Sequence, residues 1–300
     1  MKTKSNRIED IVFYIHGELK NKYSETEIKA FVNILFKEYA GLGSAHVLAM
    51  GGDTVNESEL LNIVLATQRL KKYEPIQYIT GHTEFCGMDI QLSSDVLIPR
   101  PETEELSLQI IKDCTQTAGQ NGKTPLQIID LCTGSGCIAL ALSKHIPFSR
   151  VFGVDVSQNA IATARKNNSR LGLDVRFVLF DLLQTDFNSL QQHIETAEFD
   201  IIVSNPPYVT EKEKQSMQPN VLEYEPHLAL FVKDNNPLVF YSQIELFARR
   251  YLKNKGRIYL EANSGLINQT ADLFSDKEYI KEIRTDIFGR ERFIFLQKTS

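Results

Sequence analysis

Apolar positions recur along this chain with two periods, and the change from one to the other divides it. In SETEIKAFVNILFKEYAG, Ser24 stands as an N-cap with Glu27 three residues on. Ile28, Phe31, Ile34 and Leu35 then follow along one face until Gly41 ends the run. ESELLNIVLATQRLKKY repeats the pattern up to Pro75. A helix with one apolar face must pack that face on something, so residues 1–80 read as a small helical domain. From Phe85 the period falls to two: Met88, Ile90 and Leu92 alternate with Asp89 and Gln91, predicting a short strand or hairpin. SSDVLIPRPETEEL then leads into a new helix, with Pro101 suited to its first turn and Glu102, Glu104 and Glu105 favoured by the positive end of its dipole. Residues 81–105 therefore read as a hairpin and linker.

After Pro125, apolar runs alternate with helical patterns: LQIIDL, RVFGVDV, VRFVLFD, FDIIVSN and GRIYLEA, with CIALALSKHI, NAIATARKNNSRLG and NPLVFYSQIELFARRYLK between them. EYIKEIRTDI and RFIFLQK close the chain around a short Gly-containing turn. These seven runs predict an α/β fold over residues 106–300, a doubly wound, mostly parallel sheet that ends in an antiparallel hairpin. The polar, proline-bearing segment Glu211–Asn236 is long for a connection and is a candidate substrate loop.

Composition narrows the function. A 300-residue chain with net charge −5 has no overall positive field to draw it to nucleic acid or to an anionic membrane. No apolar run is long enough to span a bilayer, and acidic residues interrupt the N-terminal stretch before a signal-like core forms, so a cytoplasmic location is expected. Of the four cysteines, Cys132 and Cys137 flank a glycine loop, but no nearby His or Cys pair completes a tetrahedral set, and no metal is expected.

The candidate chemistry sits where strands end. In an open parallel sheet, ligands bind beyond the carboxyl ends of the strands. The first run leads into DLCTGSGC, where Gly134 and Gly136 allow close backbone approach, although any tight strand-to-helix turn needs glycine. The second ends at Asp155, placed to accept from ribose hydroxyls, since Ser157 or Asn159 can cap the next helix instead. The third ends at Asp181 and Leu182, an acceptor for an adenine amino group and an apolar face for its ring; the plainer reading makes Leu182 core. The loop has no lysine for a phosphate, and Asp130 just before it would repel one; a sulfonium or an amino group suits that acid. The fourth run delivers NPPY. Pro206 and Pro207 remove two N–H donors, the Pro206 carbonyl and the Asn205 side chain remain as acceptors, and Tyr208 offers a flat wall. Two fixed acceptors suit a planar NH2 group, a weak nucleophile that must be oriented toward an electrophile. Taken alone, NPPY could also be an extended strand exit with Asn205 as a turn residue.

The glycine loop, DVS and NPPY together resemble class I S-adenosylmethionine-dependent methyltransferases that act on planar NH2 groups. More narrowly, PIQYITG, LIPRPETEEL, DLCTGSGCIALAL, VDVS, SNPPY, YEPHLAL and DIFGRER, in that order, resemble the family that methylates the glutamine amide in the GGQ motif of peptide chain release factors. The resemblance implies S-adenosylmethionine as cofactor, held by Asp130, Cys132, Thr133, Gly134, Ser135, Gly136, Asp155, Val156, Asp181, Leu182 and Asn205. It implies that Asn205, Pro206, Pro207 and Tyr208 hold the glutamine amide, that Arg100 helps shape its pocket, and that the helical domain grips the release factor. The alternative for Arg100 is a salt bridge with Glu102 or Glu104. A monomer is expected, with no direct nucleic-acid or membrane partner.

Three departures stand out: Cys132 replaces the family's usual glycine, Asn235–Leu238 replaces its Asp-Gly-Leu, and Leu182 replaces an aromatic residue, which weakens adenine stacking by about 1 kcal/mol. The rival reading is an adenine-N6 methyltransferase of DNA or RNA, which would have to flip a base and bind phosphates. A binding module that has lost its chemistry is the other; it would have no need of both acceptors in NPPY.

Overall fold

The structure, a computed structural model, describes residues 3–117, 124–184, 186–194, 196 and 198–299. The chain divides into two compact units, one of residues up to Gly81 with Gln218–Tyr224, the other of His82–Met217 with Glu225–Ser300.

The first unit holds α1 (Ile8–Leu19), α2 (Glu25–Ala40), α3 (Ser44–Ala49), α4 (Glu57–Leu70) and α5 (Ile76–Thr80). Ser24 caps α2 in a full capping box with Glu27, and Gly41 ends the helix at φ +67°. The buried face of α2 is Ile28, Val32, Leu35 and Phe36. Ile34, expected on that face, is exposed, because six residues from Ile28 at 100° each turn it to the far side. Asn56 and Glu59 form a second capping box at the head of α4. Ile11, Ile15, Ile28, Leu35, Ile63 and Leu70 are fully or almost fully buried in one cluster.

The second unit opens with β1 (His82–Phe85) and β2 (Met88–Gln91), paired antiparallel, then α6 (Pro101–Thr117). The hairpin is more than a connector: Phe85, Met88 and Ile90 pack in the same core as the helices on one face of the main sheet. The alternation then runs β3 (Leu126–Leu131), α7 (Cys137–His145), β4 (Ser149–Asp155), α8 (Gln158–Leu171), β5 (Val175–Leu179), α9 (Asn188–Gln191) and β6 (Phe199–Ser204). Short elements follow: β7 (Val209–Thr210), then α10 (Pro219–Tyr224), which belongs to the first unit, then α11 (His227–Leu230) and β8 (Phe231–Val232). Last come α12 (Val239–Tyr251), β9 (Leu252–Glu261), α13 (Ile267–Asp272), β10 (Tyr279–Thr285) and β11 (Glu291–Lys298).

The main sheet has seven strands in the order β10-β11-β9-β6-β3-β4-β5. Strands β9, β6, β3, β4 and β5 are parallel, and β10 and β11 form the antiparallel edge. The period of two in the central strands sorts their side chains to two faces. Ile129, Leu131, Phe152, Val154 and Ile202 join the core under α12, while Ile128, Val151, Ile201 and Val203 join the core under α7. Chain order reverses between β3 and β6, and such a switch point opens a crevice at the carboxyl ends of the strands.

Candidate active site

A cavity of about 250 Å³ lies at that crevice. Cys132 and Gly134 come to its wall from the turn after β3, Asp155 and Val156 from the end of β4, Leu182 and Asp181 from the end of β5, and Asn205 and Pro207 from the end of β6. Four successive strand ends thus meet around one space.

The turn after β3 is shaped by left-handed backbone at Cys132 (φ 64°), Gly134 (φ 56°) and Gly136 (φ 82°). A Cβ at Gly134 would meet nothing within 4 Å, so the bare backbone is what faces the cavity there. At Gly136 a Cβ would come 2.9 Å from the Phe177 ring, so this residue is needed for packing. The alternation of left-handed residues turns only part of the loop toward the cavity. Thr133, Ser135 and Gly136 are buried and are not on its wall, contrary to the wider set expected to hold a cofactor. The Thr133 hydroxyl instead donates to Asp130 Oδ2 at 2.5 Å, and its amide donates to the Val154 carbonyl at 2.9 Å.

Asp130 is also off the wall. It is fully buried beneath the loop, and burial pushes its carboxyl up to about 7, with the neighbouring Asp155 adding to the rise. Its one side-chain partner among the described residues is the Thr133 hydroxyl on Oδ2. Asp155 accepts the Gly134 amide on Oδ2 and the Ser157 amide on Oδ1, each at 2.9 Å, and burial holds its carboxyl above the usual range. Each oxygen keeps a second lone pair, so one carboxylate can both pin the loop and face a ligand. Ser157 caps α8 by accepting the Ala160 amide at 3.2 Å. Asp181 accepts the Leu183 amide at 2.9 Å. Leu182 is 4% exposed, so it belongs to the core and to the cavity wall together.

Asn205 donates from Nδ2 to Thr103 Oγ1 at 3.0 Å; Thr103 Oγ1 donates to Glu261 Oε2 at 2.7 Å. Tyr208 hydroxyl donates to the other oxygen, Glu261 Oε1, at 3.0 Å. Tyr208 was expected as a flat wall, yet it and Pro206 are not on the cavity surface. The Tyr208 hydroxyl is held instead by Glu261 at the end of β9, and burial pushes its phenol well above the usual range. Arg100 is likewise off the wall: it pairs with Glu225 at 2.5 Å, not with Glu102 or Glu104. Glu225 is 4% exposed, and the pair ties two segments that both line the cavity, Asp95–Leu97 and Pro226–Ala229. The departure at Asn235–Leu238 closes as a turn, with the Asn236 amide on the Lys233 carbonyl at 3.0 Å, and leads into α12 and Phe240 on the cavity wall.

Thr103, Glu225, Glu261 and Phe240 were not among the expected site residues. Glu261 had a usable signal, an acid at the carboxyl end of an apolar run, the rule that found Asp155.

The wall fits S-adenosylmethionine: it offers a carboxylate at the end of β4, a bare glycine backbone, and apolar surface from Val156, Leu228 and Phe240. Val156 and Leu228 are exposed although apolar, as expected of residues that meet a ligand. Fold and pocket together define a class I S-adenosylmethionine-dependent methyltransferase, and the Methyltransferase small domain family matches residues 115–224.

Two relatives narrow this. The chain is 41% identical to the release factor glutamine methyltransferase of Flavobacterium psychrophilum over 92% of its own length and 94% of the relative's. It is 39% identical to that of Bacteroides thetaiotaomicron over 95% of its own length and 98% of the relative's. A crystal structure of the release factor-specific protein-(glutamine-N5) methyltransferase of Alicyclobacillus acidocaldarius matches at TM-score 0.41 and 22% identity, covering 68% of this chain and 95% of that one. The chain belongs to the release factor glutamine methyltransferase family.

Proposed function

We propose that the protein transfers a methyl group from S-adenosylmethionine to the side-chain amide nitrogen of the GGQ glutamine of a release factor, and that Asn205 holds that amide. The observation that carries the site assignment is the convergence of the β3, β4, β5 and β6 strand ends on one cavity in a chain of this family. Asp155 would receive the ribose, Asp181 and Leu182 the adenine, and Cys132 and Gly134 the methionine part. When bound, the cofactor supplies an electrophilic methyl carbon on a sulfonium sulfur.

The rest is the work of this chain. A carboxamide nitrogen is a weak nucleophile because its lone pair is delocalised, so the site must fix its direction. Asn205 Oδ1, on the cavity wall, is an acceptor for one of its two protons, and the proline rings that follow limit how the corner can turn. Such alignment can supply roughly 7–11 kcal/mol of a barrier. The nitrogen becomes acidic only once alkylated, so no strong base is required beforehand.

The helical unit is assigned to gripping the release factor away from the reacting glutamine; exposed Phe13, Leu48, Leu61 and Leu65 give it apolar surface for that role. The protein is assigned to the cytoplasm as a monomer that does not bind nucleic acid directly. Among the described residues no helix is long and apolar enough to cross a membrane.

The test is incubation with methyl-labelled S-adenosylmethionine and a release factor, its Gln→Ala variant in GGQ, or duplex DNA. Label is expected on the unaltered release factor alone; label on DNA would establish the adenine reading instead. Asn205→Ala should abolish turnover while cofactor affinity falls only a few-fold, and retained turnover would refute the role given to Asn205.

A further inference from the structure

An asparagine side chain has two ends of nearly the same shape, one a double acceptor and one a double donor. Only the acceptor end can receive a substrate NH2; the reverse orientation would set donor against donor. Something must choose, and the choice can be followed proton by proton.

Thr103 is 3% exposed, on the first turn of α6, and its hydroxyl has one proton. Glu261 Oε2 lies 2.7 Å from it on one side and the Asn205 amide 3.0 Å on the other. A carboxylate only accepts, so the threonine proton goes to Glu261. The remaining lone pairs of Thr103 then need a donor, and Asn205 can provide one only through its nitrogen. Oδ1 is the end left for the cavity, which Asn205 lines.

Glu261 itself is fixed on both oxygens, since Tyr208 donates to Oε1 at 3.0 Å. Burial, with Glu102 adding to it, holds the proton affinity of this 1%-exposed carboxyl above the usual range against the opposing pull of Thr103, Tyr208 and Arg292; it is the geometry, a hydroxyl donor on each oxygen, that makes Glu261 the acceptor here. Arg292 is held behind the corner by its Nη1 on the Ala262 carbonyl at 3.2 Å, with its guanidinium carbon 5.8 Å from the centre of the Tyr208 ring.

We propose that Thr103 and Glu261 are positioning residues that orient the Asn205 amide, Glu261 by taking the Thr103 proton and Thr103 by demanding one from Asn205, so that Oδ1 faces the substrate nitrogen. The proposal rests on the reading of Asn205 as the substrate acceptor. Thr103 and Glu261 are not on the cavity wall; they act through Asn205, which is.

Thr103→Val keeps the shape and removes the hydroxyl. It is expected to lower kcat on the order of 10- to 100-fold, with KM for release factor and Kd for S-adenosylmethionine within about 3-fold. Thr103→Ser, which restores the hydroxyl, should recover kcat to within about 3-fold of the parent. Thermal melting of each variant checks folding, and Thr103→Ala carries the same comparison with Thr103→Ser if the valine variant does not fold. Asn205→Ala is run alongside. If Asn205→Ala is inactive while Thr103→Val and Thr103→Ala turn over like the parent, the positioning role is overturned and the reading of Asn205 stands. If Asn205→Ala turns over normally, the reading of the site falls and the positioning role falls with it. A Thr103→Ser variant as slow as Thr103→Val also overturns the proposal, because only the methyl group would then matter.

Discussion

Asp130 couples the fold to pH. Its carboxyl titrates near 3.8 in an unfolded chain and at about 7 in the folded protein, because burial disfavours the charge. Below pH 4 both states hold the proton and the contribution to stability is complete. As pH rises toward 7 the unfolded chain releases its proton while the native state retains one, so stability is lost, by at most roughly 4 kcal/mol over the full swing. Asp130→Asn removes this dependence whatever it costs at a fixed pH. The difference in Tm between variant and parent should therefore move in favour of the variant from pH 4 to pH 8, and a difference constant with pH would refute the assignment. The same residue marks the limit of what its position in the sequence reveals. An acid beside a glycine loop is legible; whether it faces the ligand or supports the loop depends on Thr133 turning inward, and that follows from left-handed backbone at Cys132 and Gly134. Cys132 itself is a departure visible in the sequence whose meaning is conformational: a side chain sits where φ is +64°.

At the scale of elements, caps and periods carry most of the information. Asn56 Oδ1 accepts the Glu59 amide and Glu59 Oε2 accepts the Asn56 amide, both at 2.9 Å. Asn56→Ala should cost about 1 kcal/mol in urea unfolding, visible as a lower midpoint with an unchanged slope. No change in midpoint would show that the box contributes nothing. That box has the same spacing as the one at Ser24 and is as legible in the sequence. The strands were readable because buried parallel strands are short apolar runs and each is followed by a helix. The order of their ends then gave Asp155, Asp181, Leu182 and Asn205 a common destination. The supports of the corner were not readable in this way. Thr103 and Glu261 stand 158 residues apart, and Arg100 and Glu225 stand 125 apart. Neither spacing has a period, and the first pair forms where α6 packs against β9, a tertiary contact that no local pattern announces.

For the molecule as a whole, the chain forms two compact units, and the division is not a single cut. Gln218–Tyr224, in the stretch read as a substrate loop, belongs to the helical unit, where the Tyr224 hydroxyl donates to the Lys72 carbonyl at 2.8 Å. Nothing in the composition of that stretch distinguishes it from its neighbours on either side, so its destination is set by packing alone. The helical unit is consequently built from two distant pieces of one polypeptide, and residues up to Gly81 are an incomplete object by themselves. A gene split between the codons for Gly81 and His82 should give two chains that are recovered together after co-expression, the longer one carrying the missing rib of the shorter. If the short chain instead purifies alone as a folded monomer, the rib is dispensable.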